Sequence, residues 1–83
     1  LSQNYPNPFN PVTTIKFAVP ASGLIKLTVY DMLGRKIKAL TNEMLAAGTY
    51  SVNWDASDLP SGLYFYRLEG DNFAETKKMV LIK

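Results

Sequence analysis

The sequence predicts an all-β domain, an antiparallel β-sandwich of six to seven strands, and three observations carry that reading. Apolar and polar residues alternate with period two through run after run, the pattern of strands with one wet face. All five glycines, Gly23, Gly34, Gly48, Gly62 and Gly70, fall at the breaks between those runs. No helical period lasts longer than a turn, and short strands separated by turn chemistry describe two packed sheets.

Taken in order, residues 1–12 read as a proline-rich lead-in and residues 13–83 as the sandwich. Pro6, Pro8 and Pro11 forbid a helix and push the residues before them to extended geometry. Tyr5 and Phe9 are expected to anchor this arm on its own domain rather than offer it to a proline-reading groove. From Thr13, Ile15, Phe17 and Val19 alternate with Thr14, Lys16 and Ala18 until Pro20–Gly23 turns the chain. Ile25, Leu27 and Val29 then share one face, against Lys26, Thr28 and Tyr30. Asp31-Met32-Leu33-Gly34 turns the chain again, and Gly34 is expected at positive φ. The next run, Arg35 to Leu40, carries Lys36 and Lys38 outward, which marks a strand near a sheet edge. Asn42 to Ala47 has some helical propensity but is too short to hold a helix, so it reads as a loop, with room for a seventh short strand near Met44. After Gly48, Tyr50, Val52 and Trp54 alternate with Thr49, Ser51 and Asn53. Their alternation makes Trp54 the expected core centre rather than a stacking platform for sugar rings. Phe17, Val29, Val52 and Tyr64 are expected to be buried with it. Asp55-Ala56-Ser57-Asp58 has too few carboxylates, wrongly spaced, for a calcium loop and reads as a polar turn.

The last two runs form a hairpin through Gly70-Asp71-Asn72. Leu59-Pro60-Ser61-Gly62-Leu63-Tyr64 has the form of a tyrosine corner, in which Tyr64 bonds upstream backbone through its hydroxyl. The final run is unusual. Met79-Val80-Leu81-Ile82 is apolar on both faces, with Lys77 and Lys78 before it and Lys83 after it. Such a strand is either central and covered on both sides, or partly open and offered to another protein. In the second case Lys77 to Lys83 is the recognition element, its backbone available for pairing and its lysines fixing register.

Composition narrows the function. An 83-residue chain buries about 60 to 65% of its unfolded surface, so it is one small domain with a thin core. The chain contains neither cysteine nor histidine, which removes thiol nucleophiles, thiolate metal sites and the commonest general base together. No enzymatic activity, metal or cofactor is expected, although the parent chain is open to being a secreted hydrolase. A net charge of +2, dispersed over several strands, is no nucleic-acid footprint. The chain opens at Leu1 without a start methionine, a charged-then-apolar leader or a long apolar run. No signal peptide or transmembrane segment is therefore expected within it, and it reads as a piece of a longer chain.

These residues resemble a known family along almost the whole chain, the type IX (Por) secretion C-terminal sorting domains, type A. Asn4-Tyr5-Pro6-Asn7-Pro8-Phe9-Asn10-Pro11 is similar to the family's entry motif. Val29 to Ile37, with Asp31 and Gly34, is similar to its middle motif. Leu59 to Tyr64, followed by Lys77 to Lys83, resembles its closing motif. The resemblance implies an immunoglobulin-like sandwich that serves as an address. It also implies a cargo domain N-terminal in the same chain, export through the periplasm and outer membrane, and a secreted or cell-surface destination. The implied partners are the type IX outer-membrane translocon, its shuttle proteins and a sortase-like peptidase that often removes the domain. Pro6, Asn7, Pro8, Gly34, Trp54, Gly62 and Tyr64 are then its structural motif residues.

The alternative class is an accessory β-sandwich module of an extracellular enzyme. A carbohydrate-binding module requires Trp54 and the tyrosines as an exposed platform. A structural spacer is the other form, like the immunoglobulin-like domain of flagellar hook-capping proteins, whose strand motifs are similar.

Overall fold

A computed structural model describes residues 1–83 as six strands and no helix. They are β1 (Val12–Val19), β2 (Gly23–Tyr30), β3 (Lys36–Leu45), β4 (Gly48–Asp55), β5 (Gly62–Glu69) and β6 (Ala74–Leu81). They form two sheets, β1-β4 and β3-β2-β5-β6, with every strand pair antiparallel. The period-two alternation decides which side chains enter the space between them. Ile15, Phe17 and Val19 from β1 are buried against Ile25, Leu27 and Val29 from β2, Tyr64, Tyr66 and Leu68 from β5, and Met79 and Leu81 from β6.

Trp54 joins the layers at one end of this core. Only 3% of it is exposed. Its ring lies 5.8 Å from that of Phe9 in the arm and 6.4 Å, edge-on, from that of Tyr64 in the larger sheet. Aromatic pairs at such spacings contribute beyond the area they bury. Tyr64 closes the corner as expected, its hydroxyl donating to the Pro60 carbonyl oxygen at 2.7 Å.

The sheets are unequal, which decides where the core is thin. Two strands cannot cover four, so the inner face of β3 lies largely in solvent and only Leu40, Thr41 and Leu45 are half-buried. By register, Glu43 pairs with core-facing Ile25, which puts a charge on the inner side of an edge strand. Inward charges of this kind, with Lys36 and Lys38, discourage pairing with other chains. Two register shifts against β2, between Leu27 and Thr28 and between Val29 and Tyr30, add bulges to the same edge.

Three expectations are corrected. Asn42 to Leu45 is strand rather than loop, because the ladder with β2 continues to Gly23–Leu45 and outweighs local propensity; the strand near Met44 is the far end of β3. Val52 is half-buried, since β4 is itself an edge and has no further strand beside it. Tyr5 is 81% exposed and anchors nothing through its ring; the buried residue beside it is Asn4. The first strand also opens at Val12, one residue earlier than its alternation announces.

Truncating Trp54 to Ala empties the contact between arm and both sheets and is expected to cost about 3 to 5 kcal/mol, whereas Val52→Ala at the open seam costs less than half as much. Urea unfolding of the two variants checks the order. A Trp54→Ala midpoint equal to that of the parent removes Trp54 from the core.

Candidate recognition surface

The closing segment acquires its surroundings from the arm. Residues 2–5 run beside β1, where Ser2 N–H donates to the Lys16 carbonyl (2.9 Å) and Tyr5 and Thr14 exchange two bonds (3.0 and 2.9 Å). Residues 7–9 then cross to β6 in the other sheet. Phe9 N–H donates to the Val80 carbonyl (2.9 Å), Ile82 N–H to the Phe9 carbonyl (3.0 Å), and Val80 N–H to Asn7 Oδ1 (3.0 Å). Gln3 Nε2 reaches the Lys78 carbonyl at 2.8 Å. The arm therefore laces the two sheets together along one seam.

The crossing is held from beneath by a fully buried side chain. Tyr66 Oη accepts from Asn4 N–H at 2.8 Å and donates to the Ser2 carbonyl at 2.8 Å. Asn4 Nδ2 donates in turn to Thr13 Oγ1 (3.0 Å) and the Pro6 carbonyl (3.2 Å), and Thr13 Oγ1 donates to that carbonyl too (3.0 Å). Every buried side-chain nitrogen and oxygen finds a partner. Pro6 and Pro8 are exposed; Pro6 contributes its carbonyl, and Asn7 alone of the motif's Pro6-Asn7-Pro8 bonds β6 through its side chain.

This arrangement sorts the closing residues by face. Met79 and Leu81 are buried in the core, opposite Tyr64 and Gly62. Lys77 shares their face and is half-buried beside Tyr66. Lys78, Val80 and Ile82 occupy the outer face, with Ile82 51% exposed. Lys83 follows, its N–H donating to Ser61 Oγ at 3.0 Å and its Nζ to the Ser57 carbonyl. The backbone of this edge is largely occupied: the Lys78 carbonyl, both edge groups of Val80 and the Ile82 N–H are already bonded to the arm, and beside them a row of side chains faces solvent.

The middle motif lies at the same end of the sandwich. Asp31 Oδ1 accepts from the N–H groups of Leu33 and Arg35, both at 2.9 Å, and Oδ2 accepts from Arg35 Nε at 2.7 Å. The Arg35 N–H bond, with the guanidinium and the Leu33 N–H, holds the Asp31 carboxyl below its ordinary value of 3.8, against a smaller opposing effect of desolvation. Gly34 has φ of 80°, and its N–H donates to the Asp31 carbonyl at 3.0 Å. The turn and Leu59 to Tyr64 face each other across a groove of about 380 Å³. Asp55 Oδ1 meanwhile caps Ser57 N–H at 2.9 Å, the polar turn anticipated there. No group of three or more acidic, histidine or cysteine side chains is placed to hold a metal ion.

Asn4, Gln3 and the hydroxyl of Tyr66 escaped sequence reasoning because alternation reports only which face a residue takes. An asparagine ahead of Tyr5-Pro6 was the available signal, and the adjacent aromatic ring drew the inference to itself.

Burial pushes the Tyr66 hydroxyl above its ordinary value of 10.0, partly offset by the Asn4 N–H, and burial followed by the Asp31 charge does the same for Tyr64. A raised tyrosine favours the fold fully below pH about 10 and ceases to as pH rises through the folded value. Melting temperature is therefore expected to fall above pH 10, less steeply in Tyr66→Phe, and equal slopes contradict this. At neutral pH Tyr66→Phe leaves Asn4 N–H and the Ser2 carbonyl unpaired, at about 1 to 3 kcal/mol for each group that stays buried. Gly34→Val is expected to cost more than the ~1 kcal/mol of propensity, because a β-branched residue is strained at this φ. A new Cβ meets nothing within 4 Å, so Gly34→Asn is expected to be milder.

Among models of known protein families, the one described as Secretion system C-terminal sorting domain matches residues 3–83. No curated protein matches the chain.

Proposed function

Because this chain belongs to the type IX secretion C-terminal sorting domains, we propose that its address is the row Lys78, Val80 and Ile82, with Lys77 and Lys83 at its ends, presented as side chains on a closed edge. A domain of this family is the sorting signal that takes a protein across the outer membrane to the cell surface or beyond. It is not itself catalytic. The observation that carries the proposal is the division of β6 into two faces. Met79 and Leu81 are spent on the core, while their neighbours face outward beside Leu63 and Phe65. Amide groups already bonded to the arm offer a partner little, so selectivity falls to side-chain chemistry: two apolar contacts bracketed by cations.

The proposed readers are the type IX translocon and its shuttle proteins. The cargo precedes Leu1, and a sortase-like peptidase cuts the link between them. A carbohydrate-binding role is not supported, since Trp54, Tyr64 and Tyr66 are buried and leave no aromatic platform around the tryptophan.

Lys77→Glu with Lys78→Glu is expected to leave the domain folded, with melting lowered mainly through half-buried Lys77, because the exposed charge of Lys78 contributes little to stability. Export of a fused reporter is expected to fall severalfold, with Lys78→Glu alone accounting for most of the loss. Parent-level export of the folded double variant would move the address elsewhere on the domain.

A further inference from the structure

We infer that the groove between the Asp31–Arg35 turn and Leu59–Tyr64 is a second half of the recognition surface. It takes an extended segment of the secretion machinery that carries an apolar side chain next to a carboxylate. This rests on the sorting function and goes beyond the closing strand.

The groove is lined mostly by apolar side chains and carries one cation, Arg35. Met32 and Leu33 are 67% and 76% exposed, a large cost in water for two adjacent residues at the tip of a turn. They face Leu59 and Leu63 across the opening, with Ile37 on the same side as the turn. The turn is built to hold them there. Asp31 fixes the backbone through the Leu33 and Arg35 N–H groups, so the exposure of Leu33 is not the fraying of a loose loop.

Arg35 supplies the polar half of the site. Its Nε is bonded to Asp31, which fixes the guanidinium plane, while no bond holds its terminal nitrogens. Its side chain is 73% exposed and that of Asp31 only 14%. The face turned to solvent is therefore the cation, oriented in advance for a planar carboxylate. Asp31 is the only carboxylate lining the groove, and Arg35 already satisfies it. Lys36 and Lys38 flank Ile37, and Lys83 is tied to Ser61 in the groove wall; against these stands one further carboxylate, Asp58, next to Leu59. The complementary ligand is apolar and acidic.

The groove also continues into the proposed address. Leu63 lines it and pairs with Val80, and Ser61 holds Lys83. One extended segment laid along the larger sheet reaches both.

The test is export of a reporter carrying the whole domain, in a bacterium with a type IX system. Met32→Asp with Leu33→Asp is expected to reduce export about tenfold, the scale of losing a central apolar contact, with melting unchanged. Met44→Asp, an exposed apolar residue outside the groove, is expected to be exported like the parent. Arg35→Gln is expected to reduce export severalfold, and Leu33→Ser gives a milder form of the same loss should the double aspartate destabilise the turn. Parent-level export of folded Leu33→Ser and of the Met32/Leu33 pair overturns the inference and leaves the sorting function standing. Normal export of Arg35→Gln overturns the acidic ligand. A parent domain that is not exported overturns both readings. Sedimentation of the purified domain gives the remaining outcome: a dimer that the Met32/Leu33 pair dissociates makes the occupant a second copy and overturns the inference.

Discussion

The phenolic oxygen of Tyr66 accepts one bond from Asn4 N–H and gives one to the Ser2 carbonyl, and the closure of the sandwich depends on it. An 83-residue chain with a two-stranded and a four-stranded sheet has little apolar area with which to hold the layers together. The arm remedies this by belonging to both sheets. Its first half extends β1, its second half extends β6, and Phe9 drops into the core against Trp54. An arm crossing between layers exposes backbone amides at the crossing, and a buried hydroxyl that both accepts and donates satisfies them there.

Closing that seam gives the molecule two different sides. The β6 side is bonded to the arm and presents side chains. The β3 side is left open and is defended instead by charge and bulges, with Lys36, Lys38 and Glu43 along a twisted edge. Unpaired strand edges invite the wrong partners, and each device guards one edge against them. The proposed address lies on the closed side, where backbone pairing is already used and selectivity falls to what the side chains present.

Much of this was legible in the sequence, for physical reasons that differ by element. Strand β1 has one buried face and alternates strictly, so its core residues followed directly; β2 and β5 alternate along their core faces too, although Thr28, Leu63 and Phe65 add burial on the other side. The Tyr64 corner and the positive φ of Gly34 were legible because each rests on chemistry local to a few residues. The far half of β3 was not, because it lies over no opposing strand and its sequence has no apolar face to reveal it; only pairing with β2 makes it a strand. The division of the closing segment into two faces was not legible. Lys77 and Lys78 are neighbours in sequence, yet one turns to the core and the other to solvent. That the arm occupies the β6 edge is a contact between residues more than seventy positions apart, which no local pattern records.

Amide hydrogen exchange at Val80 and Ile82 in the isolated domain tests the central claim most directly. These two N–H groups point away from β5, and only Asn7 Oδ1 and the Phe9 carbonyl cover them. With the arm in place both are expected to exchange orders of magnitude more slowly than an open strand edge, and Asn7→Ala is expected to release Val80 while leaving Ile82 protected. Rapid exchange at both positions in the parent would mean that the edge is open, and that a partner is free to pair with the backbone of the closing strand.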